Sequence, residues 1–236
     1  SYYADNRSTL RFGFNALKQK ISPASLNAKA NSAVNSVNIE KRYGLELAGY
    51  LSHEWNPISW FSVLYGLRFT DFMVQGPGTF YEFDEDGEPT NASNYITSSV
   101  IKHYFNIEPR LSASFILDQT QSIKTSFNRI VQNLHQLTNT TSSLPTDQYI
   151  LSRINITPQY ADQVALGFFR NFNNNMYEFS MEGFYKTMGN QIDFRNGADL
   201  QANEFLEGEL LFGKGRAYGL EFYLRKTKGR LNGAIL

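Results

Sequence analysis

The 236-residue chain has no cysteine, only 2 tryptophans and no net charge, with 22 Lys and Arg against 22 Asp and Glu. Lack of cysteine excludes disulfides, thiolate catalysis and cysteine-bound metals. The charge balance removes the field of one sign that would argue for nucleic acid or an anionic surface as partner. No run of about 18 apolar residues occurs, so no transmembrane helix is expected, and Ser1 opens no signal peptide. What the chain does have is 19 Phe and 14 Tyr in a sequence of negative mean hydropathy. Its end, GRLNGAIL, reads as a strand cut short, so the chain is expected to be part of a longer protein.

Residues 175–186, NMYEFSMEGFYK, carry the governing pattern: Tyr177, Phe179, Met181 and Tyr185 alternate with Glu178, Ser180, Glu182 and Lys186. A soluble sandwich would bury the aromatic face, whereas a membrane barrel would turn it to lipid, and the period of two is common to both. The stringing of strands separates them. Alternation predicts eight full strands and the start of a ninth, at about 7–18, 42–55, 60–72, 104–117, 122–132, 160–172, 176–188, 215–226 and 230 onward. Most run to about 11–14 residues, against about 5–6 in soluble proteins. Tilted crossing of a bilayer takes about 9–11 residues plus interfacial ends.

The connections alternate strictly. Asn56-Pro57-Ile58-Ser59, Asp118-Gln119-Thr120-Gln121, Asn173-Asn174-Asn175 and Thr227-Lys228-Gly229 predict tight turns. Between them lie long connections at 19–41, 73–103, 133–159 and 189–214. Short turns at one end and long loops at the other are the pattern of an outer-membrane barrel, with the turns in the periplasm. Segments 76–94 and 139–147 are turn-rich and polar, and neither reads as a core element.

This topology assigns the faces. Leu10, Phe12, Phe14, Tyr65, Leu67, Phe69, Leu111, Phe127, Val164, Leu166, Phe168, Phe179, Tyr218, Leu220 and Phe222 fall on the bilayer side. Arg11, Glu46, Glu54, Arg68, Glu108, Arg110, Lys124, Glu178, Glu182, Lys186, Glu221 and Arg225 fall on the other, six of each sign in a wet lumen. Arg129, Asp162, Arg170 and Lys226 break the parity, but they sit toward strand ends, where a charge costs about 0–1 kcal/mol rather than about 2–4 at the midplane.

Several stretches resemble the barrel of Bacteroidetes TonB-dependent receptors, particularly those with an N-terminal carboxypeptidase-regulatory-like domain and a plug. They are NIEPRLSASF (106–115), SIKTSFNR (122–129), LTNTTSSLPTD (137–147), ITPQYADQVALGFFRNF (156–172), NMYEFSMEGFYKTMGNQIDFRNGADL (175–200) and GKGRAYGLEFYLRKTKGRLNGAI (213–235). The resemblance implies a barrel of about 22 strands closed by a plug. It further implies TonB-driven uptake of a scarce solute, a TonB-ExbB-ExbD partner reached through the plug, a possible surface lipoprotein and a Gram-negative outer membrane. Residues 1–236 would be part of that barrel domain, without plug, TonB box or the aromatic C-terminal strand.

For function, the acidic aromatic stretch from Tyr81 to Asp86 is the candidate for ligand capture, with Tyr81, Phe83, Asp84 and Asp86 offering stacking faces and acceptors. The bland alternative is a solvated loop. Arg68, Glu108, Arg110, Lys124, Glu178, Glu182, Lys186, Glu221 and Arg225 would pair with one another, with the plug or with the passing solute. Asp84-Glu85-Asp86-Gly87 lacks the remaining spacing of a calcium loop. His53, His103 and His135 are too dispersed to share a metal. His135 with Ser142 or Ser143 is the one conceivable hydrolytic pair, and ordinary loop roles are favoured for all three. Gly213, Gly215 and Gly219 follow no strand-to-helix junction and form no phosphate loop. The resulting expectation is an all-β piece of a large antiparallel transmembrane barrel, with no cofactor and no enzymatic role. A passive porin-like channel and a non-transporting structural or assembly barrel are the rival readings.

Overall fold

The computed structural model describes residues 2–5, 7–22, 25–26, 37–137, 148–198, 203–229 and 232–235. Its strands are β1 (Tyr2–Asp5), β2 (Ser8–Ile21), β3 (Ser25–Leu26), β4 (Val37–Asn38), β5 (Arg42–Ile58), β6 (Phe61–Gln75), β7 (Gly78–Phe83) and β8 (Pro89–Tyr95), followed by β9 (Val100–Ile116), β10 (Gln121–Gln132), β11 (Leu134–Leu137), β12 (Gln148–Leu151), β13 (Gln159–Phe172), β14 (Tyr177–Phe194), β15 (Leu210–Lys226) and β16 (Gly233–Ile235). A short 3-10 helix spans Leu206–Glu209. Ten of these strands form one antiparallel meander in the order β1-β2-β5-β6-β9-β10-β13-β14-β15-β16. The other six pair as hairpins β3–β4, β7–β8 and β11–β12, each inside a long connection.

The ladder registers test the face assignment, because residues opposite each other across an antiparallel pair share a face. One rung runs Leu10, His53, Tyr65, Leu111, Phe127, Val164, Tyr185, Tyr218. The rung one residue along runs Arg11, Ser52, Gly66, Arg110, Asn128, Gln163, Lys186, Ala217. The predicted parity thus holds across eight strands. Large apolar side chains on the first face stand open at the surface of the wall: Phe14 is 72% exposed and Tyr218 78%. His53 is the polar member of its rung, and both ring nitrogens are satisfied, Nε2 by Ser8 Oγ at 2.7 Å and Nδ1 by Tyr65 Oη at 2.7 Å. A polar group facing hydrocarbon needs such partners.

The turn end is built from local chemistry. Asn173, Asn174 and Asn175 all have φ between 54° and 58°, the left-handed region that asparagine tolerates better than most residues. At the neighbouring turn the Asp118 carboxylate accepts from the Thr120 N–H at 2.7 Å, the Thr120 hydroxyl at 2.8 Å and the Gln121 amide at 2.7 Å. Those hydrogen bonds to the charged form hold its carboxyl below the usual range. Both tryptophans lie at this end, Trp55 and Trp60, with Phe172 stacked on Tyr177 at 5.4 Å, as expected where a wall meets a membrane interface.

Four expectations need correction. The predicted turn Asn56-Pro57-Ile58-Ser59 instead places Asn56 and Pro57 in a register shift before Ile58, and the chain reverses at Ser59 and Trp60. Proline, which cannot donate to the ladder, is accommodated at such an irregularity. Strands also run past their predicted loop ends: β14 continues to Phe194 because Asn190, at φ 55°, absorbs a bulge between Gly189 and Gln191. The connections 73–103 and 189–214 therefore shrink to 76–99 and 195–209. The strand β1 was not predicted. Lastly, 76–94 is not excluded from the core, since Phe80 on β7 is buried with Phe72, Val74 and Leu151. Segment 139–147 lies outside the described residues.

Burial is concentrated at the loop end. One cluster joins Phe72 and Val74 of the wall to Phe80 and Leu151 of two hairpins, with Ile21, Tyr95, Ile101, Tyr104, Leu134 and Ile154 packed around it. The Phe72 ring lies over Gly44, where a Cβ would collide with it. A second cluster joins Leu137, Ile150, Ile156 and Leu210. Phe72 and Tyr104 are opposite Glu46, on the charged face, so the hairpins fold over that face.

Candidate functional site

Charges on the inner face are largely mutual partners. Arg11 meets Glu54 at 2.7 Å, Arg68 reaches both Glu46 at 3.4 Å and Glu108 at 3.5 Å, and Arg225 lies 3.8 Å from Glu178. The buried Glu108 also accepts from the Thr70 hydroxyl at 2.9 Å, and Glu46 from the Asn133 amide at 3.2 Å, which ties the wall to the loop above. Lys124 sets its ammonium 4.7 Å above the Phe169 ring. Lys124, Glu182 and Glu221 belong to one rung, which runs Lys124, Gly167, Glu182, Glu221, and Arg110 and Lys186 to another. On the outer face, Arg129 and Asp162 form a bidentate pair, two hydrogen bonds of 2.7 Å each.

Three connections meet above this wall. The hairpin β7–β8, the segment after β12 and the 195–209 connection are held by side chains far apart in sequence. Arg153 pairs with Glu207, both nearly buried, and Asn155 donates from Nδ2 to Tyr81 O and to Glu207 Oε2, each at 2.8 Å. Arg195 donates to Gly208 O at 2.9 Å and to Glu85 O at 2.6 Å. Gly87, at φ 88°, and Gly208 bring their backbones together so closely that a Cβ on either would strike the other's carbonyl. The 22–41 connection joins through Glu40, which accepts from Arg42 at 2.6 Å and from the Thr79 N–H at 2.7 Å. Those bonds lower the Glu40 pKa, although burial alone would raise it.

The candidate capture residues sit on this welded cap. Tyr81 is half-buried, edge-on to Phe205 with centroids 5.0 Å apart, and donates to Glu204 Oε1 at 2.9 Å, which raises its own pKa. Phe83 lies 6.5 Å from the Tyr81 ring and against Gly208. Asp84 is used by the hairpin itself: its Oδ1 accepts the N–H groups of Asp86 at 3.0 Å and Glu88 at 2.8 Å. Asp86 is exposed at the tip. The structure therefore assembles Tyr81, Phe83, Glu204 and Phe205 into one acidic aromatic surface. Glu204 and Phe205 were missed because nothing local to them announces a partner more than a hundred residues away.

Among the described residues, His135 has Ser152 as a side-chain partner. It is 1% exposed, and its Nε2 lies 3.0 Å from Ser152 Oγ; Ser142 and Ser143 are outside the described residues. Burial pushes the imidazole pKa down to about 4, outweighing the nearby Gln159 amide.

Comparison with known proteins completes the description. The family described as TonB dependent receptor-like, beta-barrel matches residues 2–234. No curated protein sequence matches the chain. Among solved structures, the FrpB iron transporter from Neisseria meningitidis, in its apoprotein form, superposes with a TM-score of 0.60 at 14% identity, over 96% of this chain and 32% of that one. Copper transporter OprC gives 0.61 at 11% identity, over 95% and 34%. The ferric-catecholate import receptor Fiu of E. coli K12 gives 0.54 at 12% identity, over 94% and 33%. The chain thus spans about a third of the length of these receptors.

Proposed function

The chain belongs to the TonB-dependent receptor β-barrel family of the Gram-negative outer membrane, and from that premise we propose that it forms part of the wall and mouth of a receptor that actively imports a scarce nutrient. The observation that carries the proposal is the cap. A passive pore has no need to fold three connections inward over its charged face and lock them with buried pairs such as Arg153 and Glu207. A receptor that must hold a solute before an energised step does.

In this reading Tyr81, Phe83, Asp86, Glu204 and Phe205 make the first contact with solute, while Asp84 keeps the tip in shape. Inner charges with no ion partner among the described residues, Arg110, Lys124, Lys186, Glu182 and Glu221, face the plug or the passing solute. Energy would come from TonB-ExbB-ExbD through a plug supplied by the rest of the receptor. A surface lipoprotein lid and a Bacteroidetes origin belong to the same proposal and rest on the sequence resemblance.

The test is uptake by cells carrying the full-length receptor, with and without TonB, of ferric siderophores, cobalamin, oligosaccharides and peptides. Uptake of one class that vanishes without TonB supports the proposal. TonB-independent uptake would establish the passive channel, and no uptake of any class the non-transporting barrel; either overturns it.

A further inference from the structure

The two edges of the hairpin β7–β8 differ. In an antiparallel pair, residues that stand opposite each other without exchanging bonds turn both N–H and C=O away from the ladder. On β7 these are Thr79 and Tyr81, and the cap takes them: the Thr79 N–H donates to Glu40 Oε2 at 2.7 Å, and Tyr81 O accepts from Asn155 Nδ2 at 2.8 Å. Their partners on β8 are Asn94 and Ala92, whose backbone groups therefore point outward on the far side. The Ala92 N–H is held by its neighbour's side chain, Asn91 Oδ1, at 2.9 Å. Among the described residues nothing bonds the Asn94 N–H or the carbonyls of Ala92 and Asn94. Proteins blunt such open edges with charge or proline, yet residues 90–94, Thr-Asn-Ala-Ser-Asn, hold neither and are exposed.

This edge borders the acidic aromatic surface. Residues opposite one another share a face, so Ala92 stands beside Tyr81, whose hydroxyl donates to Glu204. A strand added to β8 would lie about 4.8 Å away, and a side chain opposite Ala92 would have only a methyl group between it and the Tyr81 ring. Glu82, Asp84, Glu85, Asp86 and Glu88 are exposed along the same hairpin, and 76–99 contains no Lys or Arg. Arg195, packed on the tip, donates to the carbonyls of Gly208 and Glu85.

We propose that β8 docks an extended cationic peptide, added antiparallel as a third strand of the hairpin, and that this peptide is the imported solute. Outward N–H and C=O groups repeating at strand spacing are the complement of a polypeptide backbone, and a sugar or metal chelate has no matching repeat. A Lys or Arg opposite Ala92 reaches over its methyl group to the Tyr81 ring and the Glu204 carboxylate. The exposed acids of the hairpin draw the same charge inward. The assignment rests on the reading of the chain as part of an importing receptor.

The probe is the end-blocked heptapeptide Lys-Val-Lys-Val-Lys-Val-Lys, titrated calorimetrically into the full-length receptor in nanodiscs. In antiparallel addition the residues that bond Ala92 and Asn94 also place their side chains on the Tyr81 face, so the lysine nitrogens must donate and the valine nitrogens need not. N-methylation of the lysine nitrogens should therefore weaken binding at least about tenfold relative to N-methylation of the valine nitrogens. The Glu-Val counterpart should bind at least about tenfold more weakly than the probe at low salt. Asn94→Pro removes an outward N–H but no ladder bond, and should bind the probe no better than the receptor binds the lysine-methylated form, with hydrogen exchange showing 76–99 still folded. Equal affinity for the two methylated peptides, or unchanged affinity in folded Asn94→Pro, overturns the proposal. Self-association of the receptor that Asn94→Pro abolishes would give the edge to a second copy and also overturn it. In cells, TonB-dependent uptake of the labelled probe is expected, and binding without uptake overturns the peptide as solute. TonB-dependent uptake of another class with no peptide binding overturns the peptide assignment alone, whereas TonB-independent uptake overturns the receptor reading beneath it.

Discussion

The wall and the cap are built on opposite rules. In the wall, formed by β2, β5, β6, β9, β10, β13, β14 and β15, apolar side chains face lipid, charged ones face a wet lumen where many pair with one another, and the backbone ladder supplies the cohesion. In the cap, apolar residues are buried against one another as in a soluble protein, with Phe72, Phe80, Leu151 and Ile156 almost wholly enclosed. The contrast teaches where this chain should be sensitive. Shrinking a residue should matter in the cap, and changing polarity should matter in the wall.

The largest break should come at the cap's core. Phe80→Ala removes a buried ring from the cluster that joins two hairpins to the wall, at a cost of about 3–5 kcal/mol. Hydrogen exchange in the full-length receptor should show faster opening of 76–99 and 148–156, with β13 to β15 unchanged. Uniform loosening of the wall would show that the two regions do not fold on separate terms. Next is a polarity reversal in the wall. Leu220→Arg points a charge at lipid and should cost about 2–4 kcal/mol of assembly near the midplane, while Glu221→Arg, one residue on, should be tolerated. Comparable insertion of both variants in a membrane-assembly assay would contradict the facing.

Acid should loosen the cap and spare the wall. The His135 imidazole has its pKa lowered from 6.5 to about 4 by burial. Unfolded chain then takes up a proton that folded chain refuses, so the cap's stability is fully present above about pH 6.5 and declines as pH falls toward 4. The loss amounts to at most about 3 kcal/mol at the rate of 1.36 kcal/mol per pKa unit. Protease cleavage within 133–158 should rise over that interval, and His135→Gln should flatten the rise. A smaller effect is expected at the acidic aromatic surface, where Tyr81→Ala or Phe205→Ala should weaken solute binding by about 1–3 kcal/mol in calorimetry with the cognate solute. Unchanged affinity would move recognition to the plug or other loops. Smallest of all, Arg129→Gln breaks a half-exposed pair with Asp162 and should shift thermal stability by no more than about 1 kcal/mol.

The same division explains what the sequence revealed. Alternation is a local signal, so the partition of Arg11, Arg110 and Lys186 from Phe12, Leu111 and Tyr185 was legible residue by residue and the registers bear it out. Turn chemistry was equally local at Asp118 and at the three asparagines. The cap was not legible. Phe80 lies in a stretch that reads as loop until Leu151 is brought beside it, and nothing local to Glu207 announces the Arg153 buried against it. Asn190 falls beyond the predicted strand end at 188, yet its side-chain amide donates to Pro158 O at 2.9 Å and β14 continues past the bulge. Those outcomes depend on contacts across three connections, which no period of two encodes.

The facing of the wall is the claim on which the rest stands, and site-directed spin labelling of one strand reads it directly. Labels placed singly at Gln163, Val164, Ala165, Leu166, Gly167 and Phe168 on β13 of the full-length receptor can be scored for collision with oxygen, which concentrates in lipid, and with a water-soluble nickel chelate. Labels at 164, 166 and 168 should favour oxygen, and labels at 163, 165 and 167 the chelate, in strict alternation. Loss of that alternation, or its inversion with odd positions in lipid, would contradict the account.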